Sequence, residues 1–226
     1  MTTQRFLFIA ILCFIWSCRT NPTKRIVKSL PDGSKEVYYV LKSDTSKMDS
    51  TYLKINIQGD TIEKVDYKDG KIDGQRILYY DNGQVKIVEN YLEDQYNGPY
   101  QSFFENGSPK QLGSFKNGEF EGELKTYYED PPNQLKESVY FKGGIENGPF
   151  RQYHKNGQLE AEGTYKDGLR DGSFKEFHPN GTIAAEGQYL DDIENGDIKV
   201  FDTTGTLTRI YVFKDKFPIK TIKVRD

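Results

Sequence analysis

The chain has 226 residues, with 31 Lys and Arg against 34 Asp and Glu and a net charge of −3. Both signs are interspersed and there is no basic stripe, which argues against nucleic acid as a partner even though aromatics make up 14% of the chain. Periodic runs of Leu and Ala are missing, which argues against a helical bundle, and the two Cys and two His offer little for metal chemistry.

The first element is a signal segment. Met1–Arg5 carries one positive charge, and Phe6–Trp16 is a run of eleven apolar residues. That run is too short for a spanning helix and fits a signal-peptide core. It ends Ile15-Trp16-Ser17-Cys18, which resembles the cleavage and lipidation signal of bacterial lipoproteins. Residues 1–17 are therefore expected to be removed and Cys18 to become the lipidated N-terminus. Ordinary secretory cleavage, leaving Cys18 as a free thiol, is the alternative. Cys13 falls in the removed segment, so no disulfide can form within the mature chain. Several acyl chains on Cys18 would anchor the protein stably in a membrane. Arg19, by analogy with lipoprotein sorting, points to the outer membrane, facing the periplasm or the cell surface.

Residues 18–50 read as the lipidated N-terminus and a tether. Arg19, Lys24, Arg25 and Lys28 come with no acid between them, as suits a solvated linker or a segment lying against anionic headgroups. Asp32-Gly33 sits at the right phase for a degenerate repeat within 25–50.

From residue 51 a 24-residue unit recurs about seven times, closed by Gly74, Gly98, Gly122, Gly148, Gly172 and Gly196. Such a period marks a stacked array. Positions 8–9 of the unit are Asn82-Gly83, Asn106-Gly107, Asn156-Gly157 and Asn180-Gly181, a strong hairpin signal because both residues tolerate positive φ. A three-residue loop with a glycine bulge pairs position 5 (Tyr79, Phe103, Tyr153, Phe177) with position 11 (Val85, Leu159, Ile183). Position 17 shares the parity of 11, so its rings (Tyr91, Phe115, Tyr165, Tyr189) are expected on that same face. A second turn, as in Lys166-Asp167-Gly168, completes the unit. Asp94 and Asp192 replace its mid-turn glycine and are expected to weaken their units. Stacked hairpins at about 4.8 Å per strand make an array on the order of 65 Å long. The fold class is thus all-β, an elongated single antiparallel sheet of stacked hairpin repeats over 51–226, with Phe213–Ile219 and Pro218 suited to an end cap.

The segment Gly163–Gly181 and its copies resemble the MORN-variant repeat, a bacterial relative of the MORN repeat. The resemblance covers about 51–213. It implies an elongated sheet of hairpins that mediates interactions; some bacterial members carry the label antitoxin.

The residues do not assemble into a catalytic site. His154 and His178 fall one unit apart, about 10 Å on stacked hairpins, too far to share a zinc ion. The many carboxylates sit in turns, where turn geometry accounts for them. No catalytic residue, metal or cofactor is expected, and the chain reads as a non-enzyme. The sharper candidate is the position-6 row, Tyr80, Phe104, Tyr128, His154 and His178, on the face opposite position 5. It is either an exposed ladder for binding or a row that stiffens the sheet. The Glu129–Asn133 insertion, with Asp130 and Asn133, is a second candidate surface or a neutral loop. Three partner classes follow: an envelope protein held by a scaffold, a toxin, or a glycan such as peptidoglycan.

Overall fold

A computed structural model describes residues 23–214 and 217–224 of the chain. The signal segment and Cys18 lie outside the described residues. Among the described residues, twenty strands form one antiparallel sheet in chain order, except that Gln95–Tyr96, Glu119–Phe120 and Leu169–Arg170 pair only with the strand before them and the next strand pairs past each. The sheet begins ahead of residue 51. Thr23–Ser29 and Lys35–Leu41 pair around a turn where Gly33 donates to the Leu30 carbonyl at 3.0 Å with φ +86°. Asp32-Gly33 thus closes a hairpin of the same kind as the later units.

The first turn of each unit takes the bulged geometry. In the 173–196 unit, His178 N–H donates to the Thr182 carbonyl and Gly181 N–H donates back to the His178 carbonyl, both at 2.8 Å. Gly181 lies at φ +84°, in the left-handed region that a side chain resists. Position 5 then faces position 11, as in Tyr79 with Val85, Tyr153 with Leu159 and Phe177 with Ile183.

Two expectations about this turn are corrected. None of the four turn asparagines is at positive φ. Asn is there for its amide: the Asn180 Oδ1 accepts from Thr182 N–H at 3.1 Å while its Nδ2 donates to the Thr203 carbonyl of the next unit at 2.8 Å. Asn82 and Asn156 repeat both contacts, donating to Glu105 and Pro179. The second correction concerns position 17. Glu176 pairs with Ala185 but Phe177 with Ile183, so Ala184 is an extra residue on its strand. That bulge reverses the parity beyond it. The position-17 rings therefore share a face with position 2, not with positions 5 and 11. Phe150 meets Tyr165 with ring centroids 4.9 Å apart, and Phe174 meets Tyr189 at 4.5 Å.

The second turn is where non-glycine residues go left-handed. Asp167 (φ +51°) and Gly168 (φ +85°) form a two-residue loop between the paired Lys166 and Leu169. Each such turn is tied to the unit before it. Gly118, Gly144 and Gly168 N–H donate to the Tyr96, Phe120 and Glu146 carbonyls at 2.8–2.9 Å. Asp94 and Asp192 make the same backbone bond to Ile72 and Arg170. Their carboxylates then accept the Ile72 and Arg170 N–H at 2.7 and 3.0 Å. The aspartates are at φ +70° and +66°, which costs backbone energy, but the charge-assisted bond they add is one glycine cannot make. They tie their units to the one before through a second bond at the same turn.

Packing runs along the array. Tyr91, Tyr96, Phe115, Phe120 and Phe141 form one file, with successive centroids 4.6, 4.9, 4.0 and 5.6 Å apart. It arises because positions 17 and 22 pair across the second turn and meet the next copy beyond it. Val65, Val139, Phe150, Phe174 and Ile198 are among the buried apolar residues of the same face. Among the described residues no large side chain is fully buried, as a single layer requires.

Candidate interaction surface

The ring-bearing face is built from position 2 and 4 residues of one strand and position 13, 15 and 17 residues of the next. Where position 15 is glycine, the neighbouring position-2 side chain lies over it. A Cβ on Gly163 would stand 2.8 Å from Phe150 Cε1, and one on Gly113 would stand 2.8 Å from Leu124 Cδ1.

The position-6 row runs along one edge of this face, half-buried in all five units. Its tips are occupied. Tyr80 and Tyr128 hydroxyls donate to the Phe103 and Tyr153 carbonyls of the next unit at 2.8 and 2.9 Å. His154 and His178 Nε2 bond the equivalent Phe177 and Phe201 carbonyls at 2.9 and 3.1 Å. The flat rings are interchangeable here because each carries a donor at the same reach; Phe104 carries none. Lysines cover the ring faces, Lys86 over Tyr80 at 5.4 Å, Lys110 over Phe104 at 5.8 Å and Lys136 over Tyr128 at 5.9 Å. Burial, then the Glu160 charge, holds the Tyr128 hydroxyl above its ordinary pKa, so it stays a donor at neutral pH. Except at Phe104 the row bonds each unit to the next, and lysines lie over its first three rings.

In the 123–148 unit, Glu129–Asn133 stands exposed beyond the row. Tyr128 N–H still donates to the Gln134 carbonyl at 2.9 Å, and Asn133 at φ +63° takes the left-handed place that glycine fills elsewhere. The insertion therefore lengthens the loop without breaking the hairpin. The histidines, each bonded to a separate carbonyl, are not brought together, and no metal-ligating cluster occurs among the described residues.

Two features were missed in the sequence. Arg76 occupies position 2, where other units carry Tyr100, Leu124, Phe150, Phe174 or Ile198. It bonds Glu63 at 2.8 Å and Glu89 at 3.2 Å. Glu89 is 7% exposed and also accepts from the Tyr91 and Tyr96 hydroxyls. Burial, the Tyr96 bond and the Glu89 charge together push the Tyr91 pKa up. The signal was present: an arginine at an apolar position, flanked one unit-strand either side by glutamates of matching parity. The second feature is an open groove of about 500 Å³ beside His178, lined by Phe174, Ile198, Val200, Tyr211 and Phe213. It opens at Ala184, which stands where other units carry Lys86, Lys110, Lys136 or Glu160.

The four hairpins with an Asn-Gly turn are also the ones recognisable from known proteins. Residues 72–93, 96–117, 146–167 and 170–191 match the MORN repeat variant. Each matched MORN segment begins at position 22 and ends inside the following second turn. The unmatched hairpins turn through Gln58-Gly59, the Asp130–Asn133 insertion and Thr204-Gly205. In the first and last of these, a position-6 Asn56 or Asp202 takes over the turn, accepting from Gln58 and Asp60 N–H or from Thr204 and Thr206 N–H. The same hairpin geometry thus extends past the matched segments. No curated protein matches the chain.

Proposed function

We propose that the chain is a lipid-anchored scaffold of the bacterial cell envelope that holds a protein partner on its repeat sheet. The observation that carries the reading is the open ring-bearing face. A single layer whose units are tied by side chain-to-backbone bonds offers a stiff, open surface. MORN-type repeats serve as interaction modules, and stacked arrays use their length in that way. Cys18 supplies the membrane anchor in this reading, and Tyr80, Phe104, Tyr128, His154 and His178 with Asp130 and Asn133 supply the docking edge.

Crosslinking in intact cells followed by pull-down tests it. Tyr80→Ala/Phe104→Ala/Tyr128→Ala should lose a dominant partner, while Tyr80→Phe/Tyr128→Phe, which keeps the rings, should retain it. The absence of any partner on the wild-type chain would sink the scaffold. The anchor is tested separately: palmitate labelling should vanish in Cys18→Ser, and labelling that survives places the lipid elsewhere or removes it.

A further inference from the structure

The groove beside His178 is a local departure from the repeat. Lys86, Lys110 and Lys136 stand at position 12 over the rings of their own units, and Glu160 stands there against His154 Nδ1 at 3.8 Å. In the 173–196 unit that position is Ala184, and the next is Ala185, a small residue shared with Ala161 of the unit before but replaced by Gln111 and Glu137 in two others. Nothing long lies over His178, so the apolar floor opens. Phe174 and Ile198 on that floor are 5% and 4% exposed. Val200, Tyr211 and Phe213 form the far wall.

Charge decides what suits the opening. Glu176 and Glu194 line it, and among the described residues neither is in an ion pair. Arg170 and Arg209, on the same face, have partners of their own. Arg170 lies over the Tyr189 ring at 4.1 Å and pairs with Asp192 at 3.0 Å. Arg209 donates to the hydroxyl of Tyr211, on the far wall, at 3.5 Å. His178 commits Nε2 to the Phe201 carbonyl. An apolar trough with two uncompensated carboxylates complements an apolar anchor flanked by positive charge, and opposite charge also speeds encounter. We infer that this groove is the docking site for a partner segment that presents an apolar side chain next to lysine or arginine. The inference rests on the scaffold reading and specifies, for the His178 end of the docking edge, with what chemistry the partner is held.

The test uses the full chain and two short fluorescent peptides, one alternating Leu and Lys and one alternating Leu and Glu. The Leu–Lys peptide should bind and the Leu–Glu peptide should not. Glu176→Gln/Glu194→Gln should weaken binding by about tenfold, the scale of two exposed charge contacts. Ala184→Lys restores the lysine cover of the other units and should block binding while leaving circular dichroism and unfolding unchanged. Equal binding of the two peptides, no binding of Leu–Lys, or unchanged binding by both variants would overturn the assignment. Crosslinking in cells separates the two readings. A partner held equally by wild type and Ala184→Lys keeps the scaffold and removes the groove. With no cellular partner the scaffold fails, and the peptides alone decide the groove.

Discussion

Gly163→Ala tests the packing that spaces the units. Gly163 has no left-handed φ, so alanine meets no backbone penalty there. Its added Cβ would meet Phe150 at 2.8 Å from Cε1 and 3.1 Å from Cζ, with Phe174 Cβ at 3.5 Å behind. Phe150 is 7% exposed and already packed on Tyr165, so its ring has little room to yield. Overpacking of this kind costs about 1–3 kcal/mol. Removing glycine's unfolded-state freedom returns about 0.4–1 kcal/mol. The net expectation is a loss of about 1–2 kcal/mol. Phe150→Leu deletes the two clashing carbons. In the double variant the alanine should then cost little, giving a coupling of about 1 kcal/mol. Because stability in an array is local, amide exchange across 148–165 is the assay, with urea unfolding alongside. Protection should fall by a factor of about 5–30 in Gly163→Ala. An alanine variant as stable as wild type, or costs that simply add in the double variant, would refute the claim that this glycine exists to admit the neighbouring ring.

Four further outcomes are expected. Asn156→Ala should destabilise its turn by about 1–2 kcal/mol, since it loses the Gln158 and Pro179 contacts together, and Asn156→Asp should cost less because it keeps the acceptor; urea unfolding with exchange at Gln158 measures both. Phe104→Tyr should stabilise by about 0.5–1.5 kcal/mol by giving position 6 the donor its neighbours have, and no gain would break the equivalence of the row. Asp192 has a pKa held below its ordinary 3.8 by the Arg170 N–H, then the Arg170 side chain. A depressed folded pKa means that its stabilisation is present above that ordinary value and lost as pH falls through the folded one, so a carboxyl titration of Asp192 by NMR should show a low midpoint and Arg170 exchange should speed up only in acid. Tyr52 is pushed up to about 12 by burial, then by Glu36 and Glu63. Its protonated form is the one folding favours, so that contribution fades as pH rises from about 10 to about 12. A late phenolate absorbance step should be missing in Tyr52→Phe.

The sequence determined the repeat, and with it much of the fold. Asn-Gly at a fixed phase, aromatic rows and closing glycines give hairpins, stacking and a single sheet, because each local signal repeats and nothing contradicts it. Tertiary structure decided what depends on neighbouring units. The bulge at Ala184 moved the position-17 rings to the other face, a change of one residue that no parity count within a strand can reveal. The bonds from Asn82 and Tyr80 to the next unit's carbonyls gave those residues a role between hairpins, where the sequence showed them only within one. Asp94 and Asp192 look like flaws as single turns and are ties once the preceding unit's N–H groups stand opposite them. The groove beside His178 opens where Ala184 meets the strand that follows, and a gap is a property of neighbours rather than of one residue alone.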